Sequence, residues 1–505
     1  MSHSTQSMNT SGETDPVWVH LMPYSKYPQF PTLNRHVETD ICVVGAGIAG
    51  ISIAYELVDR GKRVTMIEAG NVLSGVTSRT GSHLSNYLEE GYVGIEENSH
   101  TWALRRIKEI SRSLHIDCEF RMLPGYGISQ YSRDDPNHEK EVAGLRKETE
   151  MAKTIRVPVS FREGLIIKGW DGSSDQRGGA IFANQATFHP TKKQPNFQCF
   201  TQTRMVSAEE RVLVQVRTAN GYTITAADVV KATCVPQQKL GVFAVMESMR
   251  TYCIAIRVRR GSIEDCLICN GAQDYKYVRL TECDEKNDYL VVGGYDHRVG
   301  QMNTSGRFEE LEAWVRERFT HAGSVDYHWS GQVFGPVDFI GFIGRSQGKT
   351  HTYNVTGDGG NGLTHGVLAG CLIADEIQGK INPCASLYNT NRLSSVAKSM
   401  PWMWQHDAHV SAHYKRQVQS DMEGIEDVAA GSGEVMKEVP TDPIVVYKDD
   451  GGKAHRFSAL CPHAKAVLSW NDTKKGWDRP VHDSPARSNL KPMDEYAKGE
   501  RTQIV

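Results

Sequence analysis

The sequence predicts an α/β protein: a doubly wound, Rossmann-like domain interleaved with a second domain of mixed sheet, and a small β-rich module near the C-terminus. Three observations predict it. Thr39 to Gly70, "TDICVVGAGIAGISIAYELVDRGKRVTMIEAG", reads as strand, glycine-rich turn, helix and strand. Tyr353 to Gly379, "YNVTGDGGNGLTHGVLAGCLIADEIQG", repeats strand, glycine-rich turn and helix far down the chain. Between them lie strand-like runs such as "TYCIAIRVRR" and "DYLVVGGYD", and beyond them the alternating runs "PIVVYKDD" and "AHRFSALCPH".

In the first segment Ile41 to Val44 is the strand, and Gly45, Gly47 and Gly50 form a G-x-G-x-x-G turn that opens a helix through Ile53, Ala54 and Leu57. The first glycine makes the turn, the second lets backbone approach a pyrophosphate, and the third lets helix pack on strand. The helix N-terminus offers N–H groups and partial positive charge to the phosphates. Val64 to Ile67 is the next strand, and it ends on Glu68, placed to accept from ribose hydroxyls. Ile48, Ala49 and Ala69 stand beside these positions and are counted with them. This register of strand, turn, helix, strand and acid defines a dinucleotide site.

The following loop, "NVLSGVTSRTGSHLSN", brings Thr77, Ser78, Arg79, Gly81, His83 and Leu84. Such a loop runs along a pyrophosphate and reaches an isoalloxazine ring, which a nicotinamide-only domain does not need. The second glycine-rich turn supplies Gly360, Asn361, Gly362, Leu363 and Thr364 at another helix N-terminus, suited to the pyrimidine end of a flavin as negative charge builds there. FAD is therefore the expected cofactor.

Composition limits the remainder. A chain of 505 residues, 39% hydrophobic and 23% charged, fits two to four globular domains. A net charge of -3 gives no support to a nucleic-acid partner or a polybasic membrane anchor. No apolar run approaches the about 18 residues of a spanning helix. The polar start, "MSHSTQSMNTSGETD", lacks the features of a secretion signal, and residues 1–15 read as disordered. A soluble, cytoplasmic protein without nucleic-acid or membrane partners is the expectation. The eleven cysteines form no disulfide framework, and the single C-x-x-C, Cys266 to Cys269, reads as buried strand.

The fingerprint, the loop "SGVTSRTGSHLS" and the closing "TGDGGNGLTHG" together resemble the D-amino-acid oxidase superfamily of FAD-dependent oxidoreductases. So do "HIDCEFRMLPGYGIS" from His115, "ATFHPTKK" to Lys193, "ADVVKATCVP" to Pro236, "YLVVGGYDHRVGQ" from Tyr289 and "YHWSGQVFGPVDFIGFIGR" from Tyr327. More narrowly the chain resembles the subgroup fused to a C-terminal Rieske domain. The resemblance implies a disordered or extended segment over 1–35, an FAD-binding domain from 36–115, 180–240 and 330–385, and a substrate domain from 116–179 and 241–329. A helical linker over 386–427 and a degenerate Rieske-like domain over 428–505 complete it.

The degeneracy is read at the ligands. A Rieske cluster needs two histidines and two thiolates. Cys461 and His463 form one C-x-H pair, but where the fused family has C-P-C-H this chain has "RPVH", Arg479 to His482. Arginine has no lone pair to give to iron. Two further family cysteines are replaced by Ala466 and Val481. No bound metal is expected.

The resemblance also implies hydride transfer from a C–H bond next to nitrogen to the flavin. Without a cluster to carry electrons away, molecular oxygen is the expected acceptor, so an oxidase is favoured over a dehydrogenase. The substrate is expected to be a small amine, imino acid or natural-product intermediate. Alternatives are a tailoring enzyme of secondary metabolism, catalysing dehydrogenation or oxidative cyclisation, and a non-catalytic flavin-binding scaffold. Candidate catalytic residues are His297, Arg279, Tyr252, His189 and Trp329, with Tyr277 and Tyr295 nearby. Arg279 is read as a fork for a substrate carboxylate, and Asp296 as the partner that fixes the tautomer of His297.

Overall fold

The computed structural model describes residues 14–85, 99–131, 133–154, 156–170, 177–191, 197–235, 246–270, 275–299, 304–336, 340–392, 424–439, 442–460, 467–473 and 475–478. The chain begins its first unit with β1 (Val37–Val44), α1 (Ile48–Asp59), β2 (Val64–Ile67) and α2 (Ser99–Ser113). Next come β3 (Thr223–Cys234), β4 (Met246–Arg259), β5 (Lys276–Glu282), β6 (Asn287–Arg298), α3 (Arg307–Arg318) and β7 (Val325–Pro336). They are followed by β8 (Thr352–Thr356), α4 (Gly362–Ile377), and the short hairpin strands β9 (Ser469–Asn471) and β10 (Gly476–Asp478).

The first sheet has the order Phe342–Arg345, β8, β3, β1, β2, Gln198–Phe200. β1 lies parallel to both β2 and β3, and β3 parallel to β8. Ile41, Cys42, Val43 and Val44 are all buried, the continuous apolar run of a strand covered on both faces. α1 and α4 share one side of this sheet, packing Ile51, Ile53 and Leu57 with Val367, Ala369 and Leu372.

The second sheet is mixed, running β7, β4, β6, β5, Leu267–Asn270, Arg121–Ile128, Arg177–Thr187 and His83–Leu84. Alternation gives β4 two apolar faces. Tyr252, Ile254, Ile256 and Val258 pack with Leu311, Trp314 and Val315 of α3. Cys253 and Ala255 instead pack with Val17, Trp18 and Trp329.

Two expectations change here. The crossings placed at 179/180 and 329/330 fall inside strands of the second sheet, Arg177–Thr187 and β7; the chain reaches the first sheet only at Gln198 and Phe342. The apolar pattern marks a strand but carries no label for its sheet. The segment 1–35, expected to be disordered or extended, carries two 3-10 turns and buried Val17, Trp18 and Leu33. A compositional average over the segment hides single anchors.

Near the C-terminus Ser432–Val439, Asp442–Lys448 and Ala454–Ser458 form an antiparallel three-stranded sheet. Val435, Val445, Ala459, Leu468 and Trp477 make its core with the β9–β10 hairpin. The helical stretch expected at 409–421 and the motif residues Cys461, His463, Ala466, Arg479, Val481 and His482 lie outside the described residues. Cys266 is buried and Cys269 half-buried, and neither is in a disulfide. Among the described residues no three His, Cys, Asp or Glu side chains are grouped to hold a metal ion, and no helix is long and apolar enough to cross a membrane.

Candidate functional site

The turn after β1 is built by close approach. Gly45 has φ +104, and a Cβ there would overlap the Ala232 carbonyl at the end of β3. A Cβ on Gly50 would overlap the Gly45 carbonyl, so no other residue lets α1 start so close to the turn. Gly47 caps α1, and the Ile48 N–H in its first turn donates to Thr77 Oγ1 at 3.0 Å. The loop read from sequence as flavin-facing thus returns to the helix N-terminus.

Glu68 takes the Ala46 N–H on Oε2 and the Gly70 N–H on Oε1, both at 2.8 Å. Burial pushes its carboxyl up, and these two bonds oppose that shift. The Ala69 N–H also reaches this carboxylate, and of its about four acceptor positions capacity is left for a ribose hydroxyl. Ala69 beside it is exposed.

The second glycine-rich turn meets the first. Gly357, Gly359 and Gly360 have φ of +71, +53 and +90, conformations that favour glycine, and Asn361 caps α4. A Cβ on Gly366 would stand 2.9 Å from Ala49 N, and one on Gly370 2.9 Å from Ser52 O. α4 therefore lies on α1 with both N-termini at one end of the sheet. Leu363 and Thr364 are buried there, and Thr364 Oγ1 is enclosed without a hydrogen-bond partner among the described residues. Burial pushes the Asp358 carboxyl in this turn up to about 6. Paired helix N-termini, a side-chain-free turn, an acid with spare acceptors and an orphaned hydroxyl fit a dinucleotide carrying a flavin.

The loop beyond is pinned to the second sheet. Ser78 Oγ donates to Gly75 O at 3.0 Å. Arg79 donates to Ser330 O at 3.0 Å and to Thr14 O at 2.8 Å. Trp329 Nε1 donates to Arg79 O at 3.1 Å. Gly81 admits the Tyr277 ring, which a Cβ would overlap. His83 is edge-on to that ring at 5.0 Å, with Nε2 3.3 Å from Val278 O. Burial, then Arg279, pushes the His83 imidazole down to about 3, so it is neutral. Leu84 pairs with Ala186.

The expected catalytic residues fall into two groups. Arg279, His189 and Trp329 gather around Trp18: the Arg279 guanidinium lies 5.3 Å from its ring, His189 edge-on at 5.4 Å and Trp329 at 6.4 Å. Arg279 donates to Ser82 O at 2.5 Å, Phe188 O at 3.3 Å and Leu280 O at 3.1 Å. These carbonyls occupy much of the fork that was read as a carboxylate site. Tyr252 and His297 lie on the opposite face of the sheet, stacked at 5.6 Å and 10°, with Phe308 of α3 edge-on to Tyr252. Asp296 does not pair with His297. Neighbours on a strand point to opposite faces, and both His297 ring nitrogens lack a hydrogen-bond partner among the described residues.

Asp296 instead joins a cluster on the loop-facing side. Its carboxylate takes the Thr251 hydroxyl, and burial pushes it up to about 6. Its Oδ1 is enclosed with no partner among the described residues. Tyr277 OH stands 3.2 Å from Thr251 Oγ1 and 3.1 Å from Cys253 Sγ. Sequence reasoning named Tyr277 but gave Asp296 only a supporting part and missed Trp18; the signal for Asp296 was an acid interrupting an apolar strand.

A two-turn dinucleotide cradle whose loop closes on a mixed sheet defines a flavin-dependent oxidoreductase. Residues 40–376 match the DAO family of FAD dependent oxidoreductases, and the chain belongs to that family. It is 25% identical over 503 residues to a putative Rieske 2Fe-2S iron-sulfur protein of Bacillus subtilis (strain 168), covering 94% of each chain. Its fold resembles glycine oxidase from Geobacillus kaustophilus, with TM-score 0.58 and 16% identity over 70% of this chain and 99% of that one. L-proline dehydrogenase from P. horikoshii is similar at TM-score 0.58 and 19% identity, over 71% and 98%. FAD is the cofactor of the family, and the residues above are those that would hold it.

Proposed function

We propose that this chain oxidises a small amine or amino acid at the C–H bond next to nitrogen, and that molecular oxygen takes the electrons as hydrogen peroxide. The observation that carries the reading is the enclosed, partly unmatched carboxylate of Asp296 on the sheet face that packs against the flavin loop. When bound, FAD supplies the hydride acceptor. Asp296 then holds the substrate ammonium and accepts its proton, because an amine gives up hydride readily only when its nitrogen lone pair is free. Thr251 holds one carboxylate oxygen and leaves the other for substrate. Tyr277 covers the cluster and keeps water out, its ring wedged over Gly81 and Gly293. From the bound ammonium, nitrogen loses one proton and carbon a hydride, giving the iminium, and the two electrons with these two hydrogens reduce oxygen to hydrogen peroxide.

The test is anaerobic mixing of the FAD-loaded chain with a panel of amines and amino acids, followed by admission of air with a peroxide assay. Bleaching of flavin absorbance by an amine, and peroxide equal to the amine consumed, is expected. No bleaching across the panel would remove the reading; bleaching without peroxide would replace oxygen with another acceptor.

A further inference from the structure

Behind the second sheet, on the face away from the flavin loop, a polar cluster is sealed from water. Arg250 of β4, Ser330 and Gln332 of β7, and Asn471 and Asp478 of the C-terminal hairpin are all buried, with Arg250 at 0% and Asp478 at 2% exposure. Arg250 Nη2 donates to Asp478 Oδ1 at 2.6 Å and to Gln332 Oε1 at 3.3 Å, and Nη1 to Ser330 Oγ at 3.4 Å. Asn471 Nδ2 donates to Asp478 Oδ2 at 2.9 Å and to Tyr252 OH at 3.0 Å. Register sets this up: Tyr252 faces Ser330 and Arg250 faces Gln332 across β4 and β7. A guanidinium this deep requires a counter-charge, and the carboxylate that meets it comes from the C-terminal module.

Ser330 connects this cluster to the other face. Its hydroxyl meets Arg250, while its carbonyl accepts from Arg79 Nε in the flavin loop. Arg79 in turn holds the Thr14 carbonyl, and its own carbonyl takes the Trp329 indole. A chain of side chains thus runs from Asp478 through Arg250 and Ser330 to the loop that closes over the cofactor.

We propose that Asp478, with Asn471 beside it, is a positioning residue of the flavin site: by pairing with Arg250 it fixes Ser330, and through it the loop carrying Arg79. The module then serves the oxidoreductase through a buried charge, whatever its cluster motif holds, and this role does not depend on the substrate proposed above.

The test uses the full chain, FAD titration by fluorescence quenching, and the visible circular dichroism of the bound flavin. Asp478→Asn removes the carboxylate charge that meets Arg250; severalfold weaker FAD binding and an altered flavin dichroism are expected, with a lower Tm. A lower Tm with wild-type FAD affinity and dichroism would reduce the pair to a stability element and overturn the proposal. If Asp478→Asn does not fold, the double variant Arg250→Met/Asp478→Leu removes both charges and restores folding, and the same two readouts decide. Failure of both variants to fold would assign the pair to the fold itself and likewise overturn a positioning role.

Discussion

At the residue scale, glycine and aspartate show the two ways a sequence discloses a site. Gly45, Gly47 and Gly50 were legible because a covalent pattern, the absence of Cβ at fixed spacing, is itself the requirement. Gly50→Ala places a methyl on the Gly45 carbonyl, which neither backbone can vacate; loss of bound FAD on gel filtration is the expected outcome. Asp296 was misread because adjacency in sequence was taken for adjacency in space, and on β6 it separates Asp296 from His297 by the thickness of the sheet. With its carboxyl raised to about 6 by burial, Asp296 is charged above that pH and neutral below it. Amine-driven bleaching is therefore expected to rise through pH 6. In Asp296→Asn that step disappears and the rate falls by about a hundredfold, the lower range for a lost general base. An unchanged pH profile would take Asp296 out of the chemistry.

At the element scale, strands and helices were legible and their partners were not. Hydrophobic period names β1, α1, β8 and α4, although β1 begins at Val37, four residues before the apolar run at Ile41, and the same period serves either sheet, so Arg177–Thr187 and β7 were divided between domains. The N-terminal segment shows the same limit. Trp18, 1% exposed, donates its indole N–H to Thr80 O at 2.9 Å and fills the space between Trp329, His189 and Arg279. His20 extends the hold, reaching Cys283 O at 2.9 Å and Tyr327 OH at 3.1 Å. The segment straps the loop to the sheet. Trp18→Ala is expected to cost about 3–5 kcal/mol, as large buried truncations do, read as a lower denaturant midpoint with an unchanged m-value. His20→Ala, at a half-buried site, should cost far less.

At the scale of the whole molecule, buried ionisable groups set how the fold responds to acid. Burial pushes His83 down to about 3, His100 to about 4, and His365 well below its ordinary value; His297 and His328 are lowered as well. His100 and His365 stand edge to face 5.1 Å apart between α2 and α4, so either would acquire its charge beside the other ring. A histidine with a depressed folded pKa contributes stability above its unfolded value near 6.5 and loses it as pH falls toward the folded value. Asp296 and Asp358, both raised to about 6, act in the opposite sense: their stabilising contribution is present below about 4 and is lost as pH rises through 6. Glu68, Glu141, Asp288 and Glu376, also raised by burial, act with these aspartates, so the histidines begin to lose stability at about pH 6.5 and the raised acids offset that loss below about pH 6. The denaturant midpoint of the FAD-free chain is therefore expected to fall between pH 7 and 6 and to level off below. Replacing His365 by Asn keeps a polar side chain there while removing the unfolded-state proton, and should flatten that slope by about one group's share. A midpoint that rises between pH 7 and 6 would mean that the raised carboxyls dominate the lowered histidines.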